Sequence, residues 1–261
     1  MADSTLSLTY VDLMNAASYF GHGEADYTDT TDAEQVMLDR IVNNGYRQFL
    51  YPLASEGIEA GYEWSFLRPS TTLDTAEDDA EQDLPDDFGR LIDGFTFEAD
   101  AQVPSILADV GEGKIRKLRE RIDESGRPRV AAIRIKAGTG ALGQRREVMW
   151  YPIPDDAYPL GYKYAALINK LTTENLYPVG SMKHGETLRL SILAMASATL
   201  NDERGPHWDD FVRALAGSIA RDKKEGAKFF GNVGTHGEYE ESSGRSSFPY
   251  TLTVSGYEIQ T

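Results

Sequence analysis

Apolar residues recur first at a helical spacing. Tyr10, Leu13, Met14 and Ala17 fall at i, i+3, i+4 and i+7 and share one face. Thr9, with Asp12 three residues on, supplies a start, and Gly21 supplies a stop. A second helix begins at Thr31, where Thr31-x-x-Glu34 reads as a capping box. Its stripe is Leu38, Ile41, Val42, Gly45 and Phe49, and Pro52 ends it. The polar stretch from Gly23 to Thr30 joins the two, which predicts a pair of short antiparallel helices. Trp64, Phe66 and Leu67 then gather too much apolar surface to lie in solvent. They predict a pin between the helices and the next element.

After Leu84-Pro85 the period changes to two. Phe95 and Phe97 alternate with polar partners. Val130 to Ala137 places Ala131, Ile133 and Ile135 on one face and Arg134 and Lys136 on the other. Arg146 to Ile153 sets Val148 and Trp150 against Met149 and Tyr151, and Leu160 to Ala166 aligns Leu160, Tyr162 and Tyr164. Pro152, Pro154 and Pro159 suit turns and edges, since proline cannot donate to a ladder. Ile115, Leu118 and Ile122 predict a short basic helix over 112–124, ended by Gly126. Residues 84–180 therefore read as a small antiparallel sheet or barrel. Helices return at Gly185, where Leu188, Ile192, Ala196 and Leu200 repeat every four residues. The last helix carries Trp208, Phe211, Val212, Leu215, Ala216 and Ile219 on one stripe. Pro206 sits in its first turn, Asp209 and Asp210 at its positive end, and Arg221, Lys223 and Lys224 at its negative end.

The predicted class is α+β. Residues 1–69 and 184–230 form a helical bundle, residues 70–183 an inserted antiparallel β domain with an acidic loop, and residues 231–261 an extended tail ending in a strand. In the tail, Gly, Ser, Glu and Tyr dominate until Phe248. Tyr250, Leu252 and Val254 then alternate with Thr251, Thr253 and Ser255. The sequence offers this strand no obvious hairpin partner. Alone it would be an exposed edge, so it either folds back on its own β domain or adds to a sheet on another chain. Its candidate docking residues are Phe248, Tyr250, Leu252, Val254 and Tyr257.

Charge changes this picture more than composition does. The chain has 261 residues, 41% of them hydrophobic, which is enough for a real core. Its formal charge of −16 argues against bulk attraction to nucleic acid or to an anionic membrane. The first residues are polar, with no basic region before an apolar stretch, and no apolar run approaches the ~20 residues of a membrane span. The expectation is a protein made in a cytoplasm-like compartment and kept or assembled there. From Pro69 to Gly89 there are eight acids and no Lys or Arg, whereas from Lys114 to Arg146 eleven bases face three acids. Such blocks read either as solvated faces or as complementary patches that meet between subunits or partners.

Chemistry-bearing motifs are few. With no cysteine there is no disulfide, thiolate site or cysteine nucleophile. Gly138-Thr139-Gly140-Ala141-Leu142-Gly143 has the glycines of a dinucleotide loop, yet a strand-like run follows where that loop needs a helix, so a hairpin connection is predicted. Gly111-Glu112-Gly113-Lys114 lacks the spacer and hydroxyl of a phosphate loop. His22, His184, His207 and His236 stand far apart, without a second ligand at metal spacing. No serine sits in a nucleophile elbow. Asp86-Asp87, Asp155-Asp156 and Asp209-Asp210 adjoin proline turns or a helix start, where acids are expected. The reading assigns no catalytic, cofactor-binding or metal-binding residue.

The order of elements and several short runs resemble the head-to-tail adaptors (connector, or tail tubular protein A-like) of tailed bacteriophages. The runs are Tyr46-Arg47-Gln48-Phe49-Leu50-Tyr51-Pro52, Trp64-Ser65-Phe66-Leu67 and Leu84-Pro85-Asp86-Asp87-Phe88-Gly89-Arg90-Leu91, then Gly126-Arg127-Pro128-Arg129-Val130-Ala131-Ala132-Ile133-Arg134, Trp150-Tyr151-Pro152-Ile153-Pro154 and Tyr162-Lys163-Tyr164. The resemblance covers roughly residues 9–230 and consists of turns and packing residues. It implies a non-enzymatic virion protein of the neck, assembled in the host cytoplasm. It implies a twelve-fold ring beneath the portal protein that extends the DNA channel and gives a tail or nozzle protein its platform. DNA would pass without specific binding, and no membrane or cofactor is involved. On this view Asp74, Glu77, Asp78, Asp79, Glu81 and Asp83 are candidate channel-facing acids. The tail strand would dock on the portal or an adjacent subunit. A tail or baseplate component with a ligand-binding β domain is the other structural reading.

Overall fold

The computed structural model describes residues 4–53, 61–97, 110–122, 124–136, 138, 143–202 and 205–225, with 253–254 and 257–258 of the tail. Contacts divide the chain into two units, Met1–Gly226 and Ala227–Thr261.

The first helix, α1 (Tyr10–His22), opens with the reciprocal cap that its sequence encodes. The Thr9 N–H donates to the Asp12 carboxylate at 2.8 Å, and the Asp12 N–H donates to Thr9 Oγ1 at 3.2 Å. The helix runs past Gly21 because Gly23, at φ 76°, makes the left-handed turn that ends it. Helix α2 (Asp32–Leu50) starts on the Thr31–Glu34 box and buries the predicted stripe. Its Gly45 lies against α4 (Ser181–Leu200). A Cβ there would stand 2.8 Å from Ile192 Cα, so only glycine admits this approach. The Ser191 hydroxyl donates across the same contact to the Gly45 carbonyl at 2.8 Å.

Helix α4 begins four residues before the predicted Gly185. Its first turn has Met182 and Lys183 exposed, so no apolar stripe announces it. Helix α5 (Pro206–Glu225) closes the bundle. Its buried line is Phe211, Leu215, Ser218 and Asp222, and Ala216, placed inward by periodicity, is exposed. The reason is polar: Ser218 shares a hydrogen bond with Thr187 of α4 at 2.6 Å, and Asp222 is drawn inward by donors described below.

Among the described residues between α2 and α4 lie six strands and one α-helix: β1 (Ser70–Asp74), β2 (Glu81–Asp83), β3 (Phe88–Phe97), α3 (Glu112–Arg121), β4 (Val130–Lys136), β5 (Arg145–Tyr151) and β6 (Pro159–Ala166). They form two antiparallel three-stranded sheets, β1-β6-β3 and β2-β5-β4. Strands β1 and β2 precede the run 84–180 that the alternation marked, and they fall inside the expected insertion 70–183. Strict alternation along β6 turns Leu160, Tyr162, Tyr164 and Ala166 inward. They meet Val148 and Trp150 of β5 across a shared core, where the Phe95 ring lies 5.1 Å from Trp150 and 5.0 Å from Tyr162. The opposite face of β5 is buried too, because Ile115 of α3 packs on Met149 and Ala132. The basic helix ends at Arg121 rather than at 124, and Ile122 is exposed.

The glycine run 138–143 joins β4 to its antiparallel neighbour β5, so a strand follows it, as the hairpin expectation requires. Within the acidic stretch, Glu81–Asp83 pair with β5 instead of lying in a loop. In the second unit, β7 (Thr253–Val254) pairs antiparallel with β8 (Tyr257–Glu258). The tail strand therefore has a local partner that the alternation did not reveal, two residues on across Ser255-Gly256. Among the described residues, no helix is long and apolar enough to cross a membrane.

Candidate partner-contact surfaces

The two charge blocks are the most legible functional feature of the sequence, and the structure joins them within one chain. The register of β2-β5-β4 sets Asp83 opposite Glu147 and Glu147 opposite Arg134. Alternation puts Glu81, Asp83, Glu147, Arg134 and Lys136 on the same sheet face, beneath α3. Arg134 Nε donates to Glu147 Oε1 at 2.7 Å, and its other nitrogens pair with Glu81 and, at 3.6 Å, with Glu112 of α3. Arg119 reaches down from α3 to Glu81 at 3.4 Å and donates to the carbonyls of Ala80 and Trp150 at 2.6 and 2.9 Å. Lys136 donates to Asp83 at 2.6 Å. The Glu147 hydrogen bond, with three carboxylates around it, holds the Arg134 pKa above its ordinary value, and Asp83 does the same for Lys136. Beside the two readings of the charge blocks, solvated faces or patches between chains, the structure adds a third for Glu81 and Asp83, which pair with bases of their own chain.

Removing the centre of this network has a predictable cost. Glu147 is only 7% exposed. Arg134→Ala strips its nearest cation and leaves a buried carboxylate, which should lower unfolding stability by about 2 kcal/mol. Arg134→Lys, which keeps the charge but cannot reach three carboxylates with a planar fork, should recover less than half of that. Denaturant midpoints of the three proteins at neutral pH check both.

The remaining predicted acids are elsewhere. Asp74 ends β1, and Asp74, Glu77, Asp78 and Asp79 are exposed with no ion pair among the described residues. Of the predicted docking residues, Phe248, Tyr250 and Leu252 lie outside the described residues, while Val254 and Tyr257 are backbone partners in the β7–β8 pair.

A second assembly was legible in the sequence only through its aromatics. The Trp64 ring is fully buried 4.9 Å from Phe49 and 5.2 Å from Phe66, Tyr62 and His184, and its Nε1–H donates to the Phe49 carbonyl at 3.1 Å. These are the aromatics expected to pin the helices to the next element; the structure instead seats this pin within the helical core, against Phe49 of α2 and His184 of α4. What holds it is Asp222 of α5. The Tyr62 hydroxyl donates to Asp222 Oδ2 at 2.6 Å, the Ser65 N–H to the same oxygen at 2.9 Å and the Ser65 hydroxyl to Oδ1 at 2.6 Å. Burial pushes the Asp222 pKa up, but the bonds from Ser65 and Tyr62, with the His184 charge, outweigh it and leave the carboxyl below its usual range. An acid in the last turns of a basic helix end carries no periodic signal, so only the fold reveals it.

Beside this joint lies an apolar cleft of about 290 Å³ between the end of α2 and the sheet β1-β6-β3. Leu50, Tyr51, Trp64 and Leu167 line it, and Arg68, Arg90 and Arg146 stand at its rim. Glu63 pairs with both Arg68 and Arg90, which holds the Glu63 carboxyl below its usual range.

The paired acids have structural work. Asp87 accepts from the Tyr164 hydroxyl at 3.0 Å, Asp86 pairs with Arg145 at 3.1 Å, and Asp155 accepts from Tyr158 at 2.7 Å. His184 belongs to the aromatic cluster, His207 packs edge-on to Phe20, and His22 faces Glu34 at 3.6 Å. Among the described residues no group of three or more His, Cys, Asp or Glu is arranged to hold a metal ion.

These are surfaces and joints for packing and contact. No curated protein matches the chain. A family model described as SU10 adaptor protein matches residues 8–231, from just before the α1 cap to just beyond α5. With that span covering most of the 261 residues, the chain belongs to the SU10 adaptor protein family, a phage head-to-tail adaptor family whose role is structural.

Proposed function

We propose that this chain forms the ring at the neck of the virion, between the portal protein and the tail or nozzle protein. The ring, of twelve copies, extends the DNA channel and provides the tail's platform. Family membership over residues 8–231 carries this reading. Charge supports it: a wall built from a chain of −16 repels phosphate and leaves DNA free to slide. Asp74, Glu77, Asp78 and Asp79 are the acids this reading turns toward the channel, while Glu81 and Asp83 are spent on Arg134, Arg119 and Lys136. The contact around a ring is heterologous, one patch meeting a different patch on the neighbour.

In this reading the tail segment containing Phe248, Tyr250, Leu252, Val254 and Tyr257 docks on the portal or an adjacent subunit. Deleting residues 231–261 removes it and spares every described residue of the first unit. The shortened protein should unfold at an unchanged denaturant midpoint and fail to co-sediment with portal-bearing capsids. Undiminished co-sedimentation would refute the docking role.

A further inference from the structure

The cleft beside Trp64 has an apolar floor and a cationic rim. One acid, Glu63, serves both Arg68 and Arg90, and Arg146 makes no ion pair among the described residues, so the rim retains positive charge. Tyr51 and Leu167 extend its floor into solvent, 45% and 52% exposed. The other end of α2 carries the complement. From Gly23 to Asp32 there are Glu24, Asp26, Asp29 and Asp32 and no base, all four exposed. Flanking this turn, Tyr19 of α1 and Val36 of α2 are 68% and 54% exposed. The chain thus has an acidic knob flanked by exposed apolar side chains and a basic-rimmed apolar groove.

Knob and groove cannot meet in one molecule. Asp32 and Leu50 are the two ends of one helix, about 27 Å apart at 1.5 Å per residue. From this separation and the opposite charges we infer that the end of the α1–α2 hairpin of one copy seats in the cleft of the next copy. The inference rests on the ring reading, and it names the two faces of the contact that reading requires. Such a contact is head-to-tail, and closes into a ring when the rotation per copy allows.

The absence of cysteine gives a clean test. Full-length Val36→Cys and Leu167→Cys chains, each altered at an exposed position, are mixed on portal-bearing capsids and oxidised. A third chain, Tyr250→Cys, probes the tail as a rival occupant. The expected product is a Val36→Cys to Leu167→Cys cross-link between different chains, while the doubly substituted chain gives a ladder. A disulfide needs Cα atoms within about 7 Å, so the product reports the contact itself. Asp29→Lys with Asp32→Lys should cut its yield at least tenfold, and Arg90→Glu with Arg146→Glu in the groove-bearing chain should restore it. Cross-linking of like with like, or of Leu167→Cys to Tyr250→Cys instead, would overturn the inference. So would a ring, seen by imaging the same sample, without the expected product, and in that case the ring reading survives. If no ring is seen on the capsids, both fall.

Discussion

Trp64→Ala should lower unfolding stability by about 4 kcal/mol. The side chain is fully buried and is the hub of the ring contacts with Phe49, Tyr62, Phe66 and His184. Truncation removes that packing and opens a cavity among those rings. It also leaves the Phe49 carbonyl, at the end of α2, without the indole donor. Because Trp64 lines the cleft as well, Trp64→Phe separates the two roles: it refills most of the volume and should recover more than half of the loss. Denaturant unfolding followed by circular dichroism checks both variants.

Asp222→Ala should cost about 3 kcal/mol, nearly as much, although the residue is an acid near a helix end. Its two oxygens accept three hydrogen bonds, and removal strands the Tyr62 hydroxyl, the Ser65 hydroxyl and the Ser65 N–H in a partly buried site. Asp222→Asn keeps the shape but offers one acceptor oxygen, so it should fall between alanine and the wild type. The carboxyl's pKa lies below its unfolded value. Its stabilisation is therefore complete above the unfolded carboxylate pKa, about 3.9, and is lost as pH falls through the lower folded value. Between about pH 5 and pH 2 the wild type should lose more stability than Asp222→Asn, and the two curves should converge at the acid end. Equal slopes across that range would contradict the assignment.

Much of the fold was legible because local rules and tertiary packing agree. Thr9 with Asp12 and Thr31 with Glu34 write their caps into the sequence, and β6 alternates without a break. The misses share another character. Glu81–Asp83 has no apolar residue, so nothing in its pattern marks a strand; it pairs because Arg134, Arg119 and Lys136 neutralise it from elements some forty to fifty residues away. Ser218 and Asp222 turn α5 onto a polar line that hydrophobic periodicity cannot see. The local partner of Thr253–Val254 is only two residues long. The charge blocks were visible as composition, but composition does not tell whether opposite charges meet within a chain or between chains. Register decides that, by placing Arg134 across from Glu147 and Glu147 across from Asp83.

The pattern that emerges is of side chains used to join elements. The buried acid on α5 holds the aromatic pin, the pin holds α2 to α4, and the ion pairs lock an acidic edge strand under a basic helix. Such a body suits a structural adaptor, and it suits the ring proposed above, which would keep its shape while DNA moves past. The measurement that tests this most directly is an image of purified particles at a resolution sufficient to place helices. The account predicts copies of this chain in a closed ring between portal and tail, α1 to α5 fitting the density as a body. The chain found only at the distal tip of the tail, or missing from complete particles, would contradict it.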